Sequence, residues 1–365
     1  MIKIVHAADL HLDSAFSALS AEQAAMLRRE QRRIVEDIAA QAERVSADLL
    51  LLSGDLFDSD RCFGETAEAL CRAFEQTRAR IFISPGNHDW YAAGSPWTRM
   101  KLPENVHVFT SPAIEKVELP ELGCTVWGAA FVSDSAEPPL AGFRADGTGM
   151  NIMVLHGDVD FPDSKYVYIS QDNIAASGLD YLALGHVHKF SGVRKAGDTF
   201  YAYPGCAMGR GFDETGEKGI LYGSVEKGSC DMKFLPLSGR RYEILPVDIS
   251  GYEDFAAVVR ETLPEDCGRD IYRVILQGER GKALDVPALE RALEGLCCRL
   301  EVRDETRPKV ELWAAAGENT LKGGFLRRMK ALYDAARSDE ERGRITKAVG
   351  YGLAALENRE GGAAV

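Results

Sequence analysis

The stretch Gly86-Asn87-His88-Asp89 follows the apolar run 79–85 and places an amide, an imidazole and a carboxylate in consecutive positions behind a glycine. Packing gives no reason for such a cluster at a strand end, because buried polar groups cost free energy unless each finds a partner. Four further stretches repeat the arrangement after apolar runs: Asp9-Leu10-His11, Gly54-Asp55, His156-Gly157-Asp158 and Gly185-His186-Val187-His188. Five of the seven histidines fall in these stretches, which argues against scattered structural histidines. The other two, His6 and His107, sit in apolar alternation without acidic or histidine neighbours and read as core or surface residues.

The chain between the clusters alternates in type. Strand-like runs at 3–8, 47–53 and 79–85 are separated by helical patterns at 20–45 and 66–77, as in an α/β fold whose ligands gather at the carboxyl ends of the strands. Ser20 with Gln23 fits a capping box for the first helix. Its Arg28, Arg29, Arg32 and Arg33 read as a solvated face. Short strands broken by Pro and Gly follow, then buried runs at 151–155 and 180–184 that lead into the last two histidine clusters. The first domain closes near residue 240. A strand–helix–strand–helix–strand pattern occupies 241–315, and 316–365 is helical. In that tail, Leu321, Phe325, Met329 and Leu332 form an apolar stripe, to pack on the same chain or on a partner.

Imidazole, carboxylate and one amide oxygen make a mixed N/O donor set without thiolate, suited to Mn²⁺, Fe or Zn²⁺. The five stretches are therefore expected to meet around two metal ions, with Asp55, central in motif order, as the bridging carboxylate. Two close cations acidify a shared water and neutralise phosphoryl oxygens. His88 is the candidate to assist the leaving group, since it and its neighbour Asn87 cannot readily bind one ion.

The ordered set Asp9-x-His11, Gly54-Asp55, Gly86-Asn87-His88-Asp89, His156 and Gly185-His186-x-His188 resembles the calcineurin-like metallophosphoesterases over about residues 1–240. Residues 6–14, 54–58 and 184–189, with Tyr203-Pro204-Gly205 and the run 214–219, are similar to the SbcD/YhaO branch of DNA repair exonucleases. The resemblance implies a layered α/β/β/α metallophosphoesterase sandwich over 1–240, a small α+β capping domain over 241–315 and C-terminal helices over 316–365 that dock an ATPase. It implies one metal held by Asp9, His11, Asp55 and His188, and a second by Asp55, Asn87, His156 and His186, with His88 assisting and Mn²⁺ the expected ion. Asp13, Asp89 and Asp158 are expected to orient ligand histidines. Arg210, between Gly209 and Gly211, reads as an exposed loop arginine or as a phosphate contact. Some relatives carry a histidine three residues after the bridging aspartate, where this chain has Asp58, so that histidine's role does not transfer. DNA, an SMC-like ATPase of SbcC or YhaN type and a second copy of the chain are the implied partners, the dimer joined through the helices at 20–45 and 66–77.

A net charge of −13 weighs against a free-standing nucleic-acid binder and keeps a small phosphodiester or phosphomonoester as the alternative substrate. A non-catalytic scaffold would have shed ligands, and this set is complete. The eight cysteines form no C-x-x-C and read as reduced thiols. Without a secretory segment or a run of about 18 apolar residues, the expectation is a cytoplasmic protein with no membrane partner.

Overall fold

The computed structural model describes residues 1–135, 140–146, 149–161, 164, 166–237, 239–308 and 313–356. Its layering can be read from one run. Leu49–Leu52 is four buried leucines in an extended strand, where successive side chains point to opposite faces. Leu49 and Leu51 enter a core with Ile2, Ile4, Phe82, Val126, Ile152 and Val154. Leu50 and Leu52 face the other way, toward helix residues Leu27, Ile38, Leu70 and Phe74. A strand apolar on both faces needs cover on both, which sets sheet against sheet inside and helix against sheet outside.

In chain order the strands are β1 (Ile2–Ala7), β2 (Leu49–Leu52), β3 (Arg80–Ile83), β4 (Val106–Val108), β5 (Glu115–Leu119) and β6 (Cys124–Gly128). They continue as β7 (Met150–His156), β8 (Tyr181–Gly185), β9 (Arg194–Ala196), β10 (Thr199–Ala202), β11 (Gly219–Glu226) and β12 (Ser229–Pro236). One six-stranded sheet has the order β12-β11-β1-β2-β3-β4, the other β5-β6-β7-β8-β10-β9. β1 to β4 are mutually parallel, as are β6, β7, β8 and β10. On the outer face of the second sheet Met153, Leu155, Leu182 and Leu184 pack with Ile174 of the short helix Gln171–Ala176. Helix, sheet, sheet and helix thus stack as the sequence led us to expect. Strands β9 and β12 escape a sequence reading because each is an edge strand with charged, half-solvated positions, which blurs the apolar alternation.

Helix α1 (Ala21–Arg44) starts at the anticipated box: the Gln23 amide donates to Ser20 Oγ, and the Ser20 amide to Gln23 Oε1. Helix α2 (Gly64–Glu75) packs beside it. The arginines of α1 divide. Arg29 and Arg33 are exposed. Arg28 reaches the carbonyls of Ser14 and Ala15, and Arg32 reaches Thr66 and Glu65 on α2. Two of the four therefore fasten α1 to its neighbours, which helical spacing alone did not show.

Beyond the twelve strands, Tyr242–Asp248, Ile271–Gln277 and Arg299–Asp304 form a three-stranded sheet in that order. By compactness the chain divides into one unit of residues 1–245, 263–274 and 293–301 and a second of 246–262, 275–292 and 302 onward. The second unit includes the helices Leu321–Ala335 and Asp339–Leu356, which pack on one another. The apolar stripe of the first is set differently from expectation: Leu326 and Gly323 are buried, whereas Leu321 and Leu332 are exposed. Phe325 lies over Gly352, which fixes the rotation of the helix. No described helix is long and apolar enough to cross a membrane. All eight cysteines are free.

His6 of the first sheet is fully buried against Tyr181 of the second, its Nδ1 3.0 Å from the Tyr181 hydroxyl and its Nε2 3.1 Å from Ser53 Oγ. Of the two readings its apolar setting allowed, core or surface, it is the core one. Burial lowers its pKa from 6.5 to about 3, so the unfolded chain takes up a proton below pH 6.5 that the folded chain refuses. Stability therefore falls as pH drops below 6.5, by about 2 kcal/mol between pH 7 and 5 from this group. Urea denaturation at those two pH values should show that increment in the wild type and its absence in His6→Gln.

Candidate metal centre

The carboxyl ends of β1, β2 and β3 in one sheet and of β7 and β8 in the other deliver the five polar clusters to one edge of the double sheet. Backbone bonds stitch the loops together there: the Asp9 amide donates to Gly54 O at 3.1 Å, and that of His11 to Asp55 O at 2.9 Å. The second sheet joins through the His186 amide, which donates to Asp9 Oδ1 and Oδ2 at 3.0 and 3.1 Å. The clustering requires unusual backbone. Asp9, His11, Asp55 and His186 all have positive φ, at 52°, 43°, 50° and 104°, a region that side chains other than glycine rarely enter. Strain of this kind persists where surrounding structure enforces it, and it concentrates at functional sites.

Asp9, His11, Asp55, Asn87 and His156 are buried, while His186 and His188 are half-buried and His88 is exposed. His11 Nε2 and His188 Nε2 face each other at 3.1 Å. The His188 Nδ1–H donates to Glu214 Oε1 at 2.6 Å, so its Nε2 is left as a lone pair aimed at His11. Likewise the His156 Nδ1–H donates to Ser53 O at 2.9 Å, which turns its Nε2 toward Asn87 Oδ1 at 3.0 Å and Asp55 Oδ2 at 3.3 Å. Lone pairs and carboxylate oxygens pointed at one another repel unless a positive charge lies among them. Asp9–His11–His188 and Asp9–Asp55–His156 each bring three donors within 4.8 Å of one another, and this donor set fits divalent cations. Asp55 Oδ2 lies 3.3 Å from His156 Nε2 and 3.8 Å from His11 Nε2, between the two groups. The His186 ring packs edge-on to His156 with centroids 5.2 Å apart, outside both groups of three.

The protein's own charges respond in the same sense. Burial alone would lower His156, but the Asp55 carboxylate outweighs it and raises the imidazole to about 9. Burial would raise Asp55, yet the neighbouring His156 holds it below the usual carboxylate range. His186 is pushed down to about 4 by its partial burial and by the neighbouring His156.

Two glycines are dictated by this crowding. Gly54 has φ +85°, and a Cβ there would strike the His156 ring. Gly86 has no positive φ; it is required by close approach, since a Cβ would collide with Asp55 Oδ1.

The carboxylates that touch ligand histidines differ from those the sequence nominated. Asp89 accepts the amides of Gly86, Leu56 and Phe57, and so ties the loops after β2 and β3. Asp13 accepts from the Phe63 amide and Thr66 Oγ1 at the start of α2. Asp158 accepts the amides of Asp160 and Phe161 in its own turn. Among the described residues, these three carboxylates thus serve backbone amides and one hydroxyl rather than a histidine. Asp58 and Glu214 take that place, with Asp58 Oδ1 3.2 Å from His11 Nδ1 and Glu214 on His188. Arg210 donates to both, at 2.8 Å to Asp58 Oδ1 and 2.9 Å to Glu214 Oε1, so its guanidinium braces the site. Glu214 carried one signal in sequence: it opens the run 214–219 after Tyr203-Pro204-Gly205.

Comparison with known proteins agrees with this geometry. Residues 2–190 match the calcineurin-like phosphoesterase family. The chain is a calcineurin-like phosphoesterase. Proteins of this family are hydrolases that typically hold two divalent metals, and the Asp and His groups described above are their candidates here. The phosphoesterase is 30% identical over 270 residues to a Bacillus subtilis protein described as uncharacterized metallophosphoesterase YhaO, covering 70% of this chain and 65% of that one. It thus spans just under two thirds of that relative's length. It is 24% identical over 292 residues to a Staphylococcus epidermidis protein named as one of the subunits of the nuclease SbcCD, covering 69% of this chain and 74% of the relative.

Two substitutions check the site. Glu214→Ala, which frees His188 and Arg210, should weaken metal binding about 10- to 100-fold in a direct titration. Gly86→Ala should displace Asp55 and leave less bound metal than wild type after dialysis, read by elemental analysis.

Proposed function

We propose that this phosphoesterase is a dinuclear-metal-dependent phosphodiesterase that cuts DNA as the nuclease subunit beside an SMC-like ATPase. The observation that carries the reading is His88, an exposed imidazole at the lip of a buried donor set. Its amide donates to Asp55 Oδ1 at 2.9 Å and its Nδ1–H to Asp58 O at 3.0 Å, which leaves Nε2 to meet substrate. Asp9, His11, Asp55, Asn87, His156, His186 and His188 would hold the cations, with Mn²⁺ the first choice and Fe or Zn²⁺ the others. When bound, these ions supply charge neutralisation for a phosphoryl group and a water of lowered pKa. His88 stands where a protonated Nε2 can donate to the departing alkoxide. Asp55, Asp89 and Asp58 fix the loop that carries it.

The polymer substrate is supported by the likeness to a protein of the SbcCD nuclease. That relative is named as one subunit of a nuclease, which fits a partner subunit of SMC-like ATPase type. A homodimer through α1 and α2 and a division into a nuclease domain 1–240, a capping domain 241–315 and docking helices from 316 complete the proposal. A cytoplasmic setting belongs to this reading. The charge of −13 favours the second reading, a small phosphodiester or phosphomonoester.

Chelated protein reloaded with Mn²⁺, with and without the ATPase, should degrade end-labelled duplex or single-stranded DNA. Turnover of a bis-aryl phosphodiester or a phosphomonoester without DNA cleavage would favour the small substrate. His88→Ala should keep its metal content while the rate falls about 10²- to 10⁴-fold. Lost metal instead would make His88 a ligand.

A further inference from the structure

The exposed ring of His88 is held at Asp58 O, 3.0 Å from its Nδ1, and its chain neighbour Asp89 closes the loop 86–89. Both anchors lead to one side chain. Trp97 belongs to the four-residue helix Pro96–Arg99 and is buried. Its indole Nε1–H donates to Asp89 O at 2.5 Å, and among the described residues no other donor reaches that carbonyl. The same ring meets Phe57 edge-on, with centroids 5.3 Å apart. Phe57 directly precedes Asp58, and its amide donates to Asp89 Oδ2 at 3.3 Å. One indole therefore touches the residue after His88 and the residue before the carbonyl that holds the His88 ring.

Packing accounts for the ring of Trp97, which shares a core with Phe57, Leu12, Leu56 and Leu70. It does not account for the direction of the N–H. A buried indole needs an acceptor, and this one takes it at the end of the loop that carries the exposed imidazole. A general acid must stay within hydrogen-bond reach of the oxygen it protonates, and a misplacement of about 1 Å costs about a hundredfold in rate. An exposed ring on a loop keeps such aim only when both ends of the loop are fixed. Asp89 Oδ1 fixes the Gly86 end, and Trp97 fixes the Asp89 end. We propose that Trp97 is the positioning residue for His88, holding Asp89 through its N–H and Asp58 through Phe57, so that the imidazole keeps its aim at the departing oxygen. The inference rests on the phosphodiesterase reading and adds to it the residue that aims the acid. Among the described residues Trp97 bonds to no candidate metal ligand, so its loss spares the metals.

The test compares two esters on the metal-loaded full chain, as wild type and as Trp97→Phe, which keeps a ring against Phe57 and loses the N–H. Bis-p-nitrophenyl phosphate expels a nitrophenolate that needs no proton, whereas a thymidine dinucleotide expels an alkoxide that does. Trp97→Phe should slow the dinucleotide about 10- to 100-fold and the aryl ester no more than about twofold, with metal content unchanged. Slowing of both esters alike, or of neither, overturns the inference, because an indole that only stabilises the fold does not distinguish leaving groups. If Trp97→Phe fails to fold, as judged by its thermal melt, Trp97→benzothienylalanine takes its place, with the same ring shape and no N–H. If the wild type leaves one or both esters intact, amide hydrogen exchange over residues 84–92 decides instead, and both intact also removes the hydrolytic reading. Exchange there about fivefold faster in the variant, as expected for one lost hydrogen bond, keeps Trp97 as the anchor of the His88 loop, and unchanged exchange overturns it.

Discussion

The Asp55 carboxylate is held from several sides at once. Oδ1 accepts the His88 amide, Oδ2 faces His156 and His11, and Gly86 lies so near that a Cβ has no room. A buried carboxylate in such company must be paired, and the elements carrying His11, His88 and His156 supply its partners. The left-handed backbone at Asp9, His11, Asp55 and His186 is the local cost of that arrangement. Leucine-rich strands apolar on both faces provide the rigid frame that can bear it.

Around this first set stands a second that works through positions rather than charge alone. Glu214 fixes the tautomer of His188, Ser53 O fixes that of His156, and Arg210 spans Glu214 and Asp58. Gln31 of α1 donates to His11 O at 2.8 Å, and Arg28 of the same helix holds the carbonyls of Ser14 and Ala15. A helix on the outer layer thereby steadies a loop at the sheet edge. Side chains of α1 that look solvated by spacing are part of the scaffold of the site.

Much of this was legible in the sequence because it is written locally. Apolar runs ending in Asp, Asn or His mark strands with ligands at their carboxyl ends, and Ser20 with Gln23 marks the start of α1. What was not legible depends on contacts between distant residues. Asp58 and Asp89 each follow a ligand motif by a few residues, and only the fold decides that one meets His11 and the other three backbone amides. Glu214 reaches His188 across 26 positions, which no spacing rule encodes. In the helix Leu321–Ala335, several apolar residues compete for the buried face, and the fit of Phe325 over Gly352 settles the rotation in favour of Leu326. Edge strands with charged positions were lost for the opposite reason, since their pattern is weak even locally.

The site is also spread along the chain in a way that matters during synthesis. Its parts run from Asp9 to Glu214, and both sheets must be paired before they meet. Contacts of such long sequence separation form late in folding. A growing chain shorter than 214 residues lacks the carboxylate that orients His188, and one shorter than 186 lacks the amide that anchors Asp9. A chain that ends before residue 214 therefore lacks part of the candidate metal centre, which is assembled only once most of the first unit has been made.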